Sequence, residues 1–315
     1  MQRSLIALAV LATLGTSAFA QSSVTLYGRA NVTIERQEVG SGANNWVMQN
    51  NASRFGLKGS EDLGGGMKAG FQIEHGFNIN NGVPTQGANF WARQSEVNLS
   101  GGFGAVRLGN FTSEAYYATA DYVSMHNHDT GTSSDAFYAY IGRNTSKVAY
   151  RLPSFGGLSV EGSVTEGGTG ERTFDVAANW DSGPLHLGFG MERNSPTNDE
   201  ARQFAFRALY EMGAFTVGGY VQRDTDGYGA GFGDRTTWRL AGMYAMGSTE
   251  FHLNYGRAGD YDNVSNSAAN QWTFGVNQNL SKRTKVYGFF TKVSDNGAGI
   301  YGDFRSLAVG VRHNF

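Results

Sequence analysis

From residue 67 to residue 78 the side chains alternate. Met67, Ala69, Phe71, Ile73 and Phe77 fall on one parity; Lys68, Gln72, Glu74 and Asn78 fall on the other. The same period of two runs through 158–165, where Leu158, Val160 and Val164 oppose Ser159, Glu161, Ser163 and Thr165. It recurs at 250–255, with Phe251, Leu253 and Tyr255 against Glu250, His252 and Asn254. Successive side chains of a strand point to opposite faces, so each segment predicts a β-strand with one apolar and one polar face. The end of the chain follows the rule too: Leu307, Val309, Val311, His313 and Phe315 share a face, and Ala308, Gly310, Arg312 and Asn314 share the other. Val24, Leu26, Gly28, Ala30, Val32 and Ile34 give the first strand a matching apolar face. First and last strands are therefore expected to close on each other, with Phe315 at one rim of the closed sheet.

The connections between these segments alternate in character. One set is short and glycine-rich, at 61–66, 101–104, 153–157, 181–184, 211–214, 246–248 and 280–283. These read as hairpin turns. The other set is longer and rich in Asn, Asp, Ser and Thr, at 78–89, 111–135, 194–200, 224–234, 259–270 and 295–302. About 16 strands fit between them, and an even count with short turns at one end and long loops at the other is the signature of an outer-membrane barrel. No composition break divides the chain, so one domain is expected.

Composition narrows the alternatives. The 45 glycines, 21 phenylalanines and 15 tyrosines beside only 4 prolines suit many short strands joined by tight turns. Residues 5–14 are apolar apart from Thr13 and precede the small-x-small site Ala18-Phe19-Ala20. That run is too short to span a bilayer and reads as a signal peptide over 1–20, cleaved before Gln21, leaving 21–315 as the mature barrel. An exported chain with no cysteine must be stabilised by architecture rather than disulfides. A soluble β-sandwich would alternate as well. Export, strand count, loop asymmetry and the terminal Phe favour a barrel in lipid, whose closure also removes exposed sheet edges. The net charge of −2 and the absence of a basic patch exclude nucleic acid as a partner.

Several stretches resemble one family in order. They are Val24-Thr-Leu-Tyr-Gly28, then Ser53-Arg-Phe-Gly-Leu-Lys-Gly-Ser-Glu-Asp-Leu-Gly-Gly-Gly66, then Phe71-Gln-Ile-Glu-His-Gly-Phe77. Gly102-Phe-Gly104, Leu280-Ser-Lys-Arg-Thr284 and Val309-Gly-Val-Arg-His-Asn-Phe315 follow. Over essentially the whole mature chain the sequence is similar to the Gram-negative general porins of β-proteobacteria. The resemblance implies an all-β fold, a 16-stranded antiparallel transmembrane β-barrel whose third external loop folds into the lumen, assembled as a homotrimer in the outer membrane. The connection at 111–135 fits that loop. The resemblance also implies a pore constriction in which basic wall residues face acidic loop residues. The basic positions are Arg29 in strand one, Arg54, Arg93 in strand four and Arg143 in strand six, with Glu74 bracing the arginines. The loop acids are Glu114, Asp121, Asp129 and Asp135. The loop lacks the family's Pro-Glu-Phe-Gly-Gly run, and Gly109-Asn110 stands where Gly-Arg is usual. Leu307, Val309, Val311 and Phe315 form the terminal strand that the barrel-assembly machinery would read.

Parity supports some of these positions directly. Arg29 lies with Thr25, Tyr27 and Asn31 on the polar face, and Arg54 with Lys58. Arg93 shares parity with Val97 and Leu99, so a bulge between Arg93 and Val97 is needed to bring it inward. The expected function is passive diffusion of ions and small hydrophilic solutes, with lipid as the surrounding medium and a mild anion preference set by the arginines. A channel specific for a sugar, phosphate or organic acid would share the fold, and an adhesin would need longer loops. A barrel enzyme would need a nucleophile, a base and an orienting group, and no Gly-x-Ser-x-Gly run or triad spacing is present. His126 and His128 sit on one polar loop with no third ligand, so neither a metal nor a cofactor is expected.

Overall fold

The computed structural model describes residues 23–123, 131–167, 171–195 and 201–315. The expected signal peptide lies outside the described residues, as do His126, His128 and Asp129.

One antiparallel sheet closes on itself. Its strands are β1 (Ser23–Val39), β2 (Asn45–Asn50), β3 (Arg54–Gly64), β4 (Met67–Gly76), β5 (Gln94–Gly101), β6 (Gly104–Asn110), β7 (Lys147–Arg151) and β8 (Leu158–Gly167). They continue as β9 (Glu171–Ser182), β10 (Leu185–Ser195), β11 (Ala201–Met212), β12 (Phe215–Thr225), β13 (Asp234–Met246) and β14 (Thr249–Ala258). The last three are β15 (Ala269–Asn279), β16 (Thr284–Asp295) and β17 (Phe304–Asn314). The 17 segments make a 16-strand barrel, because β2 and β3 both pair with β1 and form one interrupted stave. The break falls at Asn51-Ala52-Ser53, where Ala52 takes a positive φ of 57°. There the Ser53 hydroxyl stands in for the missing ladder bonds: it accepts from the Asn31 N–H at 3.0 Å and donates to the Asn31 carbonyl at 3.0 Å.

Closure is made by the two ends of the chain. The β1–β17 ladder runs from Arg29 opposite Asn314 to Val39 opposite Phe304. Gly28 N–H donates to the Phe315 carbonyl at 2.9 Å and Phe315 N–H returns the bond at 3.0 Å. The Phe315 ring occupies the space a Cβ at Gly28 would need, so only glycine fits under it.

Burial is inverted relative to a soluble domain. Val24, Leu26 and Val309 are 65%, 59% and 63% exposed on the outer wall, whereas Asn31 and Glu35 are fully buried inside. Apolar-out and polar-in alternation is what a strand between lipid and a wet lumen requires.

The interior is occupied by the loop joining β6 to β7, which extends past 135 to 146. Its first limb is a short helical run, Glu114–Tyr116 continuing through Tyr117–Asp121, capped by the Ser113 hydroxyl on Ala115 N–H at 3.1 Å. It packs on β9–β11 over small residues: a Cβ at Gly190 would stand 2.5 Å from the Ala115 carbonyl oxygen. The second limb, 131–146, looks like a strand in sequence but pairs with no strand. Its backbone is held by lumen side chains instead. The Thr132 hydroxyl donates to Glu35 at 2.8 Å, and along the backbone Ala136 N–H donates to Gln271 at 3.1 Å. Ala139 N–H donates to Gln222 at 2.8 Å, and Ile141 N–H to Glu192 at 3.2 Å. This corrects the placement of Arg143 in strand six: it belongs to the loop, four residues before β7 begins. Backbone groups must be satisfied somewhere, and in a polar barrel the wall side chains can do it.

The loop after β4 folds back over the outer wall. Phe90 stacks on His75 with ring centroids 3.9 Å apart, and Phe55 and Trp91 pack around them. His75 is outward-facing by parity yet buried under its own loop, rather than lying open at an interface.

Candidate pore constriction

The wall formed by β16, β17, β1 and β3 carries a run of cations. Lys285 stands directly opposite Arg312 across β16–β17, and Arg29 directly opposite Arg54 across β1–β3. Asn314 joins the two pairs: its side-chain oxygen accepts from Arg29 Nε at 3.2 Å and from Arg312 Nε at 3.4 Å. Arg54 and Arg93 then share Glu74, at 3.5 Å and 2.7 Å. Like charges placed opposite one another are costly in a sheet. Setting five of them in a row from β16 to the start of β5, with Glu74 between Arg54 and Arg93 and Glu250 acting on Lys285, concentrates positive potential on that side of the lumen.

Arg93 arrives there without a bulge. The β4–β5 ladder is regular from Lys68–Ser100 to Glu74–Gln94, and Arg93 is the residue just before it. At that bend the side chain turns inward over Gly76, where an added Cβ would meet Arg93 Cδ at 2.7 Å. Parity fails at Arg93 because the strand has not yet begun.

A second cluster sits under the first limb of the loop. Arg107 contacts Glu96 at 2.7 Å, Glu161 at 3.0 Å and Glu114 at 3.9 Å. Arg151 contacts Glu114 and Glu161, each at 2.9 Å. Three carboxylates thus enclose two guanidinium groups. Burial pushes the Glu114 carboxyl above its ordinary range, with Arg151 opposing. Tyr117, on the same limb, has its phenol pushed up by burial, with Asp121 adding and Arg93 opposing.

The remaining expected residues divide. Asp135 anchors the second limb: it accepts from Tyr220 Oη and pairs with Arg239 at 3.1 Å. Asp121 is half-buried on the first limb, and Arg143 donates to Thr145 at 3.1 Å. Asp129 lies outside the described residues. Sequence reasoning missed Lys285 and the function of Arg312, although both lie on the polar parity. It also missed the Arg107 cluster, whose partners come from three staves and a loop. On the far wall Arg207 stacks on Tyr122 at 3.8 Å and donates to the Ala118 carbonyl at 2.9 Å, so it fastens the loop.

A closed barrel with a polar lumen narrowed by an inward loop is the geometry of a diffusion pore, and comparison with known proteins agrees. A family model described as Gram-negative porin matches residues 7–298. The chain belongs to the Gram-negative porins. It is 31% identical to outer membrane porin protein 32 of Delftia acidovorans, with all of both chains covered. It is 26% identical to an outer membrane porin of Bordetella pertussis, again over all of both chains. Among solved structures, an anion-selective porin from Comamonas acidovorans superposes with a TM-score of 0.76 at 23% identity, covering 94% of this chain and 100% of the other. OmpF of Salmonella typhi superposes at 0.73 with 15% identity, covering 93% and 97%. These two establish the barrel fold. This porin is an outer-membrane protein, and its activity is that of a channel.

Proposed function

We propose that this porin passes small hydrophilic solutes and ions passively, with a preference for anions, and that Lys285, Arg312, Arg29, Arg54 and Arg93 set that preference. The observation that carries the reading is the imbalance on one wall: among the described residues, five cations lie in a connected row braced by Glu74. On this reading the loop residues Tyr117, Asp121 and Glu114 supply the facing wall. Opposed walls of this kind orient water in a transverse field. A polar solute exchanges those water contacts for its own, whereas an apolar solute only disrupts them. An anion gains from the cationic wall at each step and is not held, because several similar sites follow one another. Two relatives add support. The Delftia protein is named as a porin, and the Comamonas structure is titled as anion-selective. We further propose a homotrimer, which agrees with the trimer form recorded for an OmpT neighbour, and no catalytic step.

Planar bilayers test this directly. Purified protein should insert as large ohmic steps, often in threes, with a zero-current potential on the anion side of a salt gradient. A cation-side potential would remove the selectivity and leave the channel. A folded, inserted protein without steps would remove the channel reading.

A further inference from the structure

The two limbs of the inward loop enclose a cleft that the cationic wall does not use. Tyr116 on the first limb and Ser134, Asp135, Tyr138, Tyr140 and Asn144 on the second line a cavity of ≈ 410 Å³. The loop lies inside the barrel, so the cleft opens on the lumen, and Tyr140 is 36% exposed there. Its walls are largely aromatic. The Tyr116 ring lies edge-to-face with Tyr138 at 5.5 Å between centroids and with Tyr140 at 5.6 Å, at interplanar angles of 66° and 82°. Edge-to-face packing leaves ring faces uncovered that a parallel stack would seal.

Hydrogen bonds across the limbs fix the shape of the cleft. Ser113 N–H donates to the Tyr140 hydroxyl at 3.2 Å, and that hydroxyl donates in turn to Asn144 Oδ1. The Thr119 and Tyr138 hydroxyls share a bond at 2.9 Å, and Gln203 Nε2 of β11 donates to the Tyr138 hydroxyl at 3.1 Å. With both limbs also fastened to the wall, the cleft is formed before any solute enters it. Its charge is neutralised. Asp135 is the carboxylate in the lining; it pairs with Arg239 at 3.1 Å and accepts from Phe137 N–H at 2.9 Å and from the Tyr220 hydroxyl. Among the described residues no lysine or arginine lines the cleft. An anion would meet the Asp135 carboxylate, and a cation would find it already paired.

We propose that the cleft is a weak, saturable binding site for an uncharged pyranose sugar in transit, an inference that rests on the proposed diffusion function. The lining selects a neutral solute, and its rings and polar groups select a sugar. A pyranose presents C–H groups on the faces of its ring and hydroxyls around its rim. The C–H groups carry partial positive charge and lie well against the negative faces of tyrosine rings. The hydroxyls both donate and accept, which suits the Ser134 hydroxyl and the Asn144 amide. Asn144 Oδ1 is engaged by Tyr140, so its NH2 is the donor it offers to a sugar oxygen. The volume lies in the range of small-ligand sites. Affinity stays low, because a solute held tightly in a pore would not leave it.

The test pairs a binding measurement with a transport measurement. Saturation-transfer difference NMR of the detergent-solubilised porin reads binding and needs no channel. The probes are methyl glucopyranoside, the open-chain polyol sorbitol and the aromatic anion 4-hydroxybenzoate. Planar bilayers read the block of ion current by the glucoside. The wild type is compared with Tyr140→Leu, which removes a ring and its hydroxyl, and with Ser134→Leu, which fills the cleft. Heat-modifiable migration on gels checks that each variant is folded. The wild type should show a saturable block at millimolar glucoside and should bind the glucoside about fivefold or more tightly than sorbitol. Both variants should weaken glucoside binding about fivefold or more and relieve the block. Equal binding of glucoside and sorbitol, or unchanged glucoside binding in either folded variant, would overturn the site. Stronger binding of 4-hydroxybenzoate, lost in both variants, would overturn the choice of an uncharged sugar. Ohmic steps without saturable binding or block would overturn the site and leave the channel. Binding without any steps would overturn the diffusion function, and transit with it, while the binding site stands.

Discussion

Two arginine clusters share the lumen of this porin and differ in their company. Around Arg107 and Arg151, three carboxylates lie within 4 Å, and Glu96 and Glu161 are almost fully buried. In the second cluster Glu74 braces Arg54 and Arg93, Glu250 acts on Lys285, and Arg29 and Arg312 share Asn314. Both clusters put basic side chains into the lumen. In the first cluster opposite charges cancel within contact distance, and its function is to seat the loop: Glu114 belongs to the loop and Glu161 to the wall. In the second, on the function proposed above, the excess reaches the lumen and acts on whatever passes. Counting arginines on the polar face cannot separate a fastener from a filter; the partners do.

The largest expected effect breaks the filter. Replacing Arg29, Arg54 and Arg312 together by Gln should lower the anion-to-cation permeability ratio about tenfold at low salt. A unit charge acts at about 0.5 kcal/mol over about 8 Å in water, and each replacement disfavours anions while favouring cations. Zero-current potentials in a salt gradient measure it, and the effect should shrink as ionic strength rises. Glu74→Gln sharpens the contrast in the opposite direction. It keeps a hydrogen-bond partner for Arg54 and Arg93 but removes the charge that Glu74 sets between them, so the anion preference should rise about twofold. The smallest effect comes from pH. Burial raises the Glu114 carboxyl, so it takes up a proton at a higher pH than exposed glutamates do. Lowering the pH from neutral toward 5 should therefore shift the zero-current potential slightly further to the anion side, and Glu114→Gln should remove that early part of the titration.

Much of the fold was legible in the chain because a barrel enforces a period of two. The short turns at 64–66, 102–103, 183–184, 213–214, 247–248 and 280–283 fall where glycine and serine clusters predicted them. Phe315 pairs with Gly28 as the matching apolar faces of the two end strands required. The site was less legible wherever backbone pairing stops. Arg93 breaks parity because it precedes its strand. The family resemblance placed Arg143 in strand six, and Phe137, Ala139 and Ile141 do alternate with Tyr138 and Tyr140 as a strand would. The alternation is real, but it reports burial between loop and wall rather than pairing with a neighbouring strand. The Arg107 cluster had no local signal at all: Glu96, Glu161 and Glu114 come together only once β5, β8 and the loop are in place. Lys285 and Arg312 were visible as polar-face cations, but their alignment with Arg29 depends on the register of closure between β16, β17 and β1.

The central claim is that the same charge matters differently in the two clusters, and a pair of double variants tests it most directly. In one salt gradient, the zero-current potential would be recorded for R29Q/R312Q and for R107Q/E96Q. The account predicts a clear shift toward the cation side for R29Q/R312Q, and a wild-type potential for R107Q/E96Q, which removes a charge and its contacting opposite together. A wild-type potential in R29Q/R312Q, or an equal shift in both variants, would contradict it.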